Sequence, residues 1–224
     1  MDWARQCAAV IPCHNEAASI GEIVTGVRRH LPTVIVVDDG SEDGTADAAN
    51  QSGAEIIRLP RNTGKGAALR AGWQQARVRG FMWALNLDGD GQHAPNDIPK
   101  FFERVEQTHA AMVVGNRMDR AEAMPWLRRK VNRWMSRRLS ARAGQLLPDS
   151  QCGFRLVNLP AWAGLRLQTD HFEIESEMLL AFVRAEYRIE FVPIEVIGAG
   201  PHSHVHPLKD TWRWLQWWRR EPQG

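Results

Sequence analysis

The first ninety residues switch back and forth between two periodicities, and this constrains the fold more than any other feature of the chain. "CAAVIP" (7–12), "TVIVVDDGS" (33–41), "AEIIRLP" (54–60) and "FMWALNLD" (81–88) are apolar, partly β-branched runs of strand length. Between them lie "EAASIGEIVTGVRRHL" (16–31), "SEDGTADAANQSG" (41–53) and "GKGAALRAGWQQARVRG" (64–80). In the first of these, Ile20, Ile23, Val24, Val27 and Leu31 follow the 3.6-residue helical period; the second offers a Ser or Asp cap and a closing glycine. The strand runs lack in–out alternation, as expected of strands covered on both faces. Strand and helix in strict alternation predict an α/β fold with a mainly parallel sheet flanked by helices. In such sheets ligands gather beyond the carboxyl ends of the strands. The polar residues with chemical potential sit there: Pro12 to Glu16, Asp38 to Gly40, Arg61 to Gly66, and Asp88 to Gln92. The first run reads as a strand stopped by Pro12.

The second half is less regular. Residues 110–117 and 188–196 read as strands, 149–157 as a turn into a strand, 125–144 as a basic helix, and 172–187 as a helix acidic at its start. No repeat or linker interrupts the 224 residues, so one domain is expected over 1–224. Cys7, Cys13 and Cys152 are scattered and suggest a reducing compartment. The amino-terminal residues carry no leader pattern, and no apolar run approaches the roughly 20 residues of a membrane span. A cytoplasmic protein is expected, held peripherally on the inner face of a membrane for the reasons given below.

Asp88 and Asp90 lie two apart at the end of a strand, where side chains point to the same side. They could present hard oxygen ligands to Mg²⁺ or Mn²⁺, and Gln92 repeats the spacing. Magnesium completes its octahedron with water and substrate phosphate, so the pair implies a phosphorylated partner. A lone Asp-x-Asp is more often a capped turn. A calcium EF-hand is excluded because Pro99 stands where its twelfth-position glutamate belongs. His93 reads as a loop residue. "RNTGKGAALRAG" lacks a glycine five residues before Gly64, which excludes a P-loop. What remains is an amide-rich turn with Lys65 that opens a helix, an end that favours anions. Asp38 and Asp39 follow a buried strand, where one could accept from a nucleobase while the other caps the turn.

Taken in order, "IPCHNE", "VVDDGSEDGT", "RNTGKGAALRAG", "LDGDGQH", "GNR" and "DSQCGFR" resemble the family 2 glycosyltransferases of GT-A, Rossmann-like fold, and most of all their dolichol- and polyprenyl-phosphate sugar synthases. The resemblance spans about residues 7 to 200 and implies that about 1–116 form the nucleotide-sugar-binding part and about 117–224 the acceptor- and membrane-facing part. It implies that Pro12, Asn15 and Glu16 line a nucleotide pocket, that Asp38 or Asp39 reads the base, and that Gly64, Lys65 and Gly66 flank ribose and diphosphate. Asp88, Asp90 and Gln92 would hold the metal, with Asp90 central to catalysis. Arg117 would meet the acceptor phosphate as a catalytic residue, and Arg128, Arg129, Arg155, Glu175 and Glu177 would shape the acceptor side. Ser203 and His204 would stand in for a donor-binding Ser-Lys pair. Cys13 and His14 depart from the family pattern and put aromatic stacking on the base in doubt. His202, His204 and His206 could instead suggest zinc, but no fixed acidic or cysteine partner accompanies them.

The implied reaction is transfer of a sugar from a UDP- or GDP-linked donor to a polyprenyl phosphate, with inversion. The metal would neutralise the leaving diphosphate, while the anionic acceptor would attack without a strong base. A hydroxyl acceptor, on a glycolipid or polysaccharide, would need a carboxylate such as Glu175 or Glu177. A non-catalytic membrane-surface module of the same fold is the remaining alternative. Residues 117–142 hold nine Lys or Arg against two acidic residues, and Leu127, Val131, Trp134, Met135 and Leu139 recur among them at helical spacing. The tail places four of the ten tryptophans among Lys209, Arg213, Arg219 and Arg220. Two basic amphipathic helices are therefore expected to lie against an anionic membrane surface. Nucleic acid is not an expected partner.

Overall fold

The computed structural model describes residues 1–118, 124–197 and 207–221, with side chains from 210 onward in the last stretch. Its strands are β1 (Cys7–Cys13), β2 (Val34–Asp38), β3 (Glu55–Arg58), β4 (Trp83–Asn86), β5 (Met112–Asn116), β6 (Arg155–Asn158) and β7 (Ile189–Pro193). Its helices are α1 (Trp3–Gln6), α2 (Ile20–Arg28), α3 (Thr45–Gln51), α4 (Lys65–Val78), α5 (Ile98–Thr108), α6 (Trp126–Ala143), α7 (Leu159–Ala163), α8 (Ile174–Arg184) and α9 (Pro207–Arg220). Among the described residues the strands form one sheet in the order β3-β2-β1-β4-β6-β5-β7. All neighbours are parallel except β6, which runs antiparallel to both β4 and β5. The expected mainly parallel α/β sheet with basic C-terminal helices is the fold observed.

The central strands are apolar throughout because helices cover them. Val24 and Val27 of α2, Leu69 and Trp73 of α4, Phe101 of α5, and Leu179 and Phe182 of α8 join β1, β2, β4 and β5 in one buried cluster. Each such side chain contributes about 1.5–3 kcal/mol on leaving water. Helix α5 falls in a stretch given no element above, although Ile98, Phe101 and Val105, which it buries, have helical spacing.

Pro12 does not stop β1. The strand continues to Cys13, which pairs with Asp38 of β2. On its other side the ladder with β4 ends at Val10↔Asn86, so nothing on that side needs an N–H from residue 12. There β4 peels away from β1 and opens a cleft at the carboxyl edge of the sheet. Being antiparallel, β6 begins where β4 ends, with Arg155 opposite Asn86. It thereby delivers residues 149–154 to the same edge.

Candidate active site

The cleft holds a cavity of about 550 Å³ lined from the strand ends by Pro12, Glu16, Asp39, Gly64, Lys65, Asp88 and Asp90. Of the two aspartates after β2, Asp39 faces it. Asp39 accepts from Thr63 N (2.7 Å), Thr63 Oγ1 (2.8 Å) and Gly64 N (2.7 Å), and so anchors the "RNTGKG" turn beside the cavity. Asp38 instead caps its own turn by accepting from Ser41 N at 2.9 Å and does not line the cavity. Asn15 also differs from expectation. It adopts a left-handed φ of 56°, accepts from Glu42 N at 3.0 Å and is exposed, tying two loops together rather than lining the pocket.

The glycines at the start of α4 have a steric cause. A side chain on Gly64, itself at φ 104°, would strike His171 and the Asp170 carbonyl, and one on Gly66 would meet the backbone of Thr169 and Asp170. The carbonyl of Asp170 accepts from Gly66 N (2.7 Å) and Ala67 N (3.2 Å). Two of the amides that would make this helix end an anion site are therefore already occupied. Gly66 serves the packing of the 169–172 segment, and Lys65 is the group that enters the cavity.

At the tip of β4, Lys65 Nζ lies 2.5 Å from Asp88 Oδ1 and 2.5 Å from Glu175 Oε1. His93 Nε2 stands 3.5 Å from the other Asp88 oxygen. Burial opposes ionisation of Asp88, but Lys65 and His93 outweigh it and hold the carboxyl well below its usual range. Gly153 closes the site from the turn before β6, where a Cβ would sit 2.6 Å from both Asp88 oxygens and from Lys65 Nζ. Asp90 accepts from Gln92 N at 3.0 Å. Burial, then the charge of Asp90, pushes the neighbouring Glu16 carboxyl up to about 7.

Gln92 is not aimed at the aspartates. Its Oε1 accepts from Arg128 Nη1 at 3.1 Å, while its Nε2 is buried without a hydrogen-bond partner. The expected third metal ligand thus links the tip of β4 to α6. His93 is no plain loop residue: it is 4% exposed, lies 5.4 Å from the Phe154 ring and leaves Nδ1 unpartnered. Its bridge to Val196 ties the tip of β4 to the chain after β7. Among the described residues no three His, Cys, Asp or Glu side chains group to hold a metal. Two carboxylates at a cavity wall fit Mg²⁺ or Mn²⁺ that draws its remaining ligands from substrate phosphate and water.

The arginines expected at an acceptor divide. Arg117 is buried and clamped to Asp149 through Nε (2.8 Å), Nη2 (2.9 Å) and its backbone N (3.0 Å). Asn132 of α6 adds a fourth hydrogen bond to that carboxylate at 2.9 Å. Arg155, expected at the acceptor, is buried and donates to the carbonyls of Cys152, Glu175 and Ser150, so it folds the 150–154 turn instead. Glu177 accepts from Gln168 N, Thr169 N and Thr169 Oγ1, which removes it as a base. Arg129 lies outside both cavities, whereas Arg128, Gln151, Phe172, Glu175 and Asp210 line the first cavity and an adjoining one of about 340 Å³. The second cavity also takes Arg117, Leu127, Val131, Met135 and Trp214. Ser203, His204 and the alternating histidines lie outside the described residues.

The two basic helices turn much of their apolar side towards the protein rather than solvent. Helix α6 buries Asn132, Met135, Ser136 and Leu139, leaving Trp126 (63% exposed) and Leu127 (51%) at its start. In α9, Trp214 is 2% exposed, donates to Ser176 Oγ at 2.9 Å and stacks on Trp218, while Arg142 lies 3.4 Å above the Trp218 ring. Most of that tryptophan cluster holds α9 to α6 and α8, and Trp212 alone of the four is largely exposed (56%). No described helix is long and apolar enough to cross a membrane.

Residues 8–161 match the family model Glycosyl transferase family 2. The chain is 33% identical over 219 residues to dodecaprenyl-phosphate galacturonate synthase of Rhizobium johnstonii, covering 92% of this chain and 58% of that one. It is 29% identical over 211 residues to UDP-N-acetylglucosamine–dolichyl-phosphate N-acetylglucosaminyltransferase of Methanococcus voltae, covering 84% of each. In fold it is similar to glucosyl-3-phosphoglycerate synthase of Mycobacterium tuberculosis, solved with Mn²⁺, uridine diphosphate and phosphoglyceric acid. The TM-score is 0.73 at 19% identity, over 94% of this chain and 75% of that one. With the ordered motifs, the cleft at the strand ends and the family match in agreement, the chain belongs to glycosyl transferase family 2.

Proposed function

We propose that the protein transfers a sugar from a nucleoside-diphosphate donor to a polyprenyl phosphate, with inversion at the anomeric carbon. The observation that carries this reading is the pair of adjoining cavities. One is rimmed by carboxylates and Lys65; the other is walled by Leu127, Val131, Met135 and Trp214, with Arg128 lining both. A polar donor and a lipid-linked anion fit that division. The relatives named for dodecaprenyl and dolichyl phosphate support the acceptor class.

In this reading residues 1–116 supply the nucleotide side and 117–224 the acceptor side, although Gln151, His171 and Glu175 reach back into the donor cavity. Asp88 and Asp90 would hold Mg²⁺ or Mn²⁺, which when bound supplies positive charge against the leaving diphosphate. Asp39 fixes the turn that carries Lys65. Arg128, kept in place by Gln92, orients the acceptor phosphate where the cavities meet. An acceptor already anionic needs no strong base, and of the two carboxylates considered for that role Glu177 is bonded elsewhere and Glu175 is held by Lys65. Transfer to a hydroxyl, the second reading, would draw on Asp210, which lines both cavities. The exposed Trp126 and Leu127 beside the acceptor cavity suit contact with lipid, and Arg133, Arg137 and Arg138 on the outer face of α6 suit an anionic surface.

The test is release of UDP or GDP from a panel of nucleotide sugars with Mn²⁺. Release is expected with undecaprenyl phosphate, absent with water or free sugars, and lost in Asp90→Ala. Equal release with a hydroxyl acceptor, or full activity in Asp90→Ala, would refute the reading.

A further inference from the structure

We propose that Lys65 is a resident cation of the donor site. Its ammonium holds the place beside Asp88 that a divalent metal takes, so the metal enters fully only when a diphosphate arrives to draw Lys65 away. This rests on the nucleotide–metal reading above and adds an order of binding to it.

The geometry is specific. The Lys65 side chain is 11% exposed, and its ammonium bridges Asp88 Oδ1 and Glu175 Oε1 at 2.5 Å each. The Phe172 ring lies 5.5 Å away, and Gly153 backs the same point so closely that a methyl group there would press on Nζ. The other Asp88 oxygen faces His93, so neither oxygen of that carboxylate is without a neighbour. A metal ligated by Asp88 would share one carboxylate with an ammonium, and two cations at that separation repel strongly where water is scarce. Asp88 and Glu175 carry two negative charges against one on Lys65. The cluster therefore keeps a cation at all times without being neutral, and it still attracts a stronger one. Lysine suits the exchange, being a compact point charge on a flexible stem. Residue 65 opens α4 on the wall of the donor cavity, within the space where a diphosphate would lie. Glu175 reaches the cluster from α8 and also lines the acceptor cavity, so Lys65 is held by both halves of the site until the donor binds.

Coupling of this kind is reciprocal and commonly amounts to about 5- to 150-fold in affinity. The test is Mn²⁺ binding to the full chain, followed by electron paramagnetic resonance of the free ion. Without nucleotide, Lys65→Met is expected to bind Mn²⁺ about tenfold more tightly than the wild type. Because that variant leaves Glu175 buried and unpaired, Lys65→Met/Glu175→Gln neutralises both partners and is expected to tighten binding as well. Lys130→Met removes an exposed cation of α6 that lines neither cavity and should leave nucleotide-free binding nearly unchanged. If UDP and GDP both fail to produce Mn²⁺ binding in the wild type, the nucleotide–metal reading falls. If they succeed, but the Lys65 variants bind no more tightly than wild type without nucleotide, or Lys130→Met matches them, the place-holding role alone is overturned.

Discussion

Asp149 offers the sharpest test of how the region around Arg117 is held together. Its carboxylate is fully buried and accepts four hydrogen bonds, three from Arg117 and one from Asn132. It joins the end of β5 to α6 at a point with no water to replace it. Asp149→Asn keeps the volume, removes the charge and turns an NH₂ towards groups that are themselves donors. Breaking a buried ion pair by altering one partner costs about 3–5 kcal/mol, a large share of the roughly 5–15 kcal/mol that stabilises a domain. With a urea m-value of about 2 kcal/mol/M, the unfolding midpoint should fall by about 1.5–2.5 M. Tryptophan fluorescence and far-UV circular dichroism, recorded on the same samples, follow the transition and check that it is cooperative. Arg117→Met/Asp149→Leu, which removes both charges, should recover most of the loss. A midpoint change under about 0.5 M in Asp149→Asn at unchanged m would refute the claim that this pair organises the region.

Two further outcomes follow from the site. Gly153→Ala places a methyl group 2.6 Å from both Asp88 oxygens and should weaken Mn²⁺ binding in the presence of UDP or GDP while leaving the far-UV circular dichroism spectrum intact. Unchanged binding would mean that the β6 turn does not enclose the site. Glu16 has its folded-state carboxyl pushed up to about 7, from 4.5, by burial and then by Asp90. The folded state thus holds this proton more tightly than the unfolded one, and the associated stability is complete below pH 4.5 and lost as pH rises through about 7. The melting temperature of metal-free Glu16→Gln should therefore gain on wild type across that window and hold its lead above it; parallel curves would refute the assignment.

The parallel half was legible because its strands are covered on both faces and read as unbroken apolar runs, from "TVIVV" to "FMWALNL". Asp88, Asp90, Lys65 and Asp39 were legible for a related reason: strand ends are the only places on such runs where polar groups collect. What the sequence hid is long-range pairing. Nothing local distinguishes Arg117, bound to Asp149, from an arginine awaiting a phosphate, and the hydrogen bonds that hold Arg155 and Glu177 are equally hidden in the sequence. His93 broke the spacing of Asp88, Asp90 and Gln92, and its meaning depends on Phe154 arriving from β6. The tryptophans of α9 matched the composition of an interfacial helix, yet Trp214 found Ser176 and the other rings found one another.

The place of β6 bears on the order in which the molecule can be assembled. Strands β1 to β4 pair only among themselves until β6 adds to β4, so the parallel block can close as soon as residue 86 is made. Strand β5 is made next but has no partner in that block, because its two neighbours, β6 and β7, come later in the chain. When β6 forms it joins both pieces at once, in pairings of long sequence separation that are slow to form. The same event sets Gly153 against Asp88, and α8, which follows in the chain, carries Glu175 to Lys65. A growing chain therefore holds its aspartates at the strand tip well before it holds the residues that enclose them, and the cleft is among the last parts of the molecule to exist.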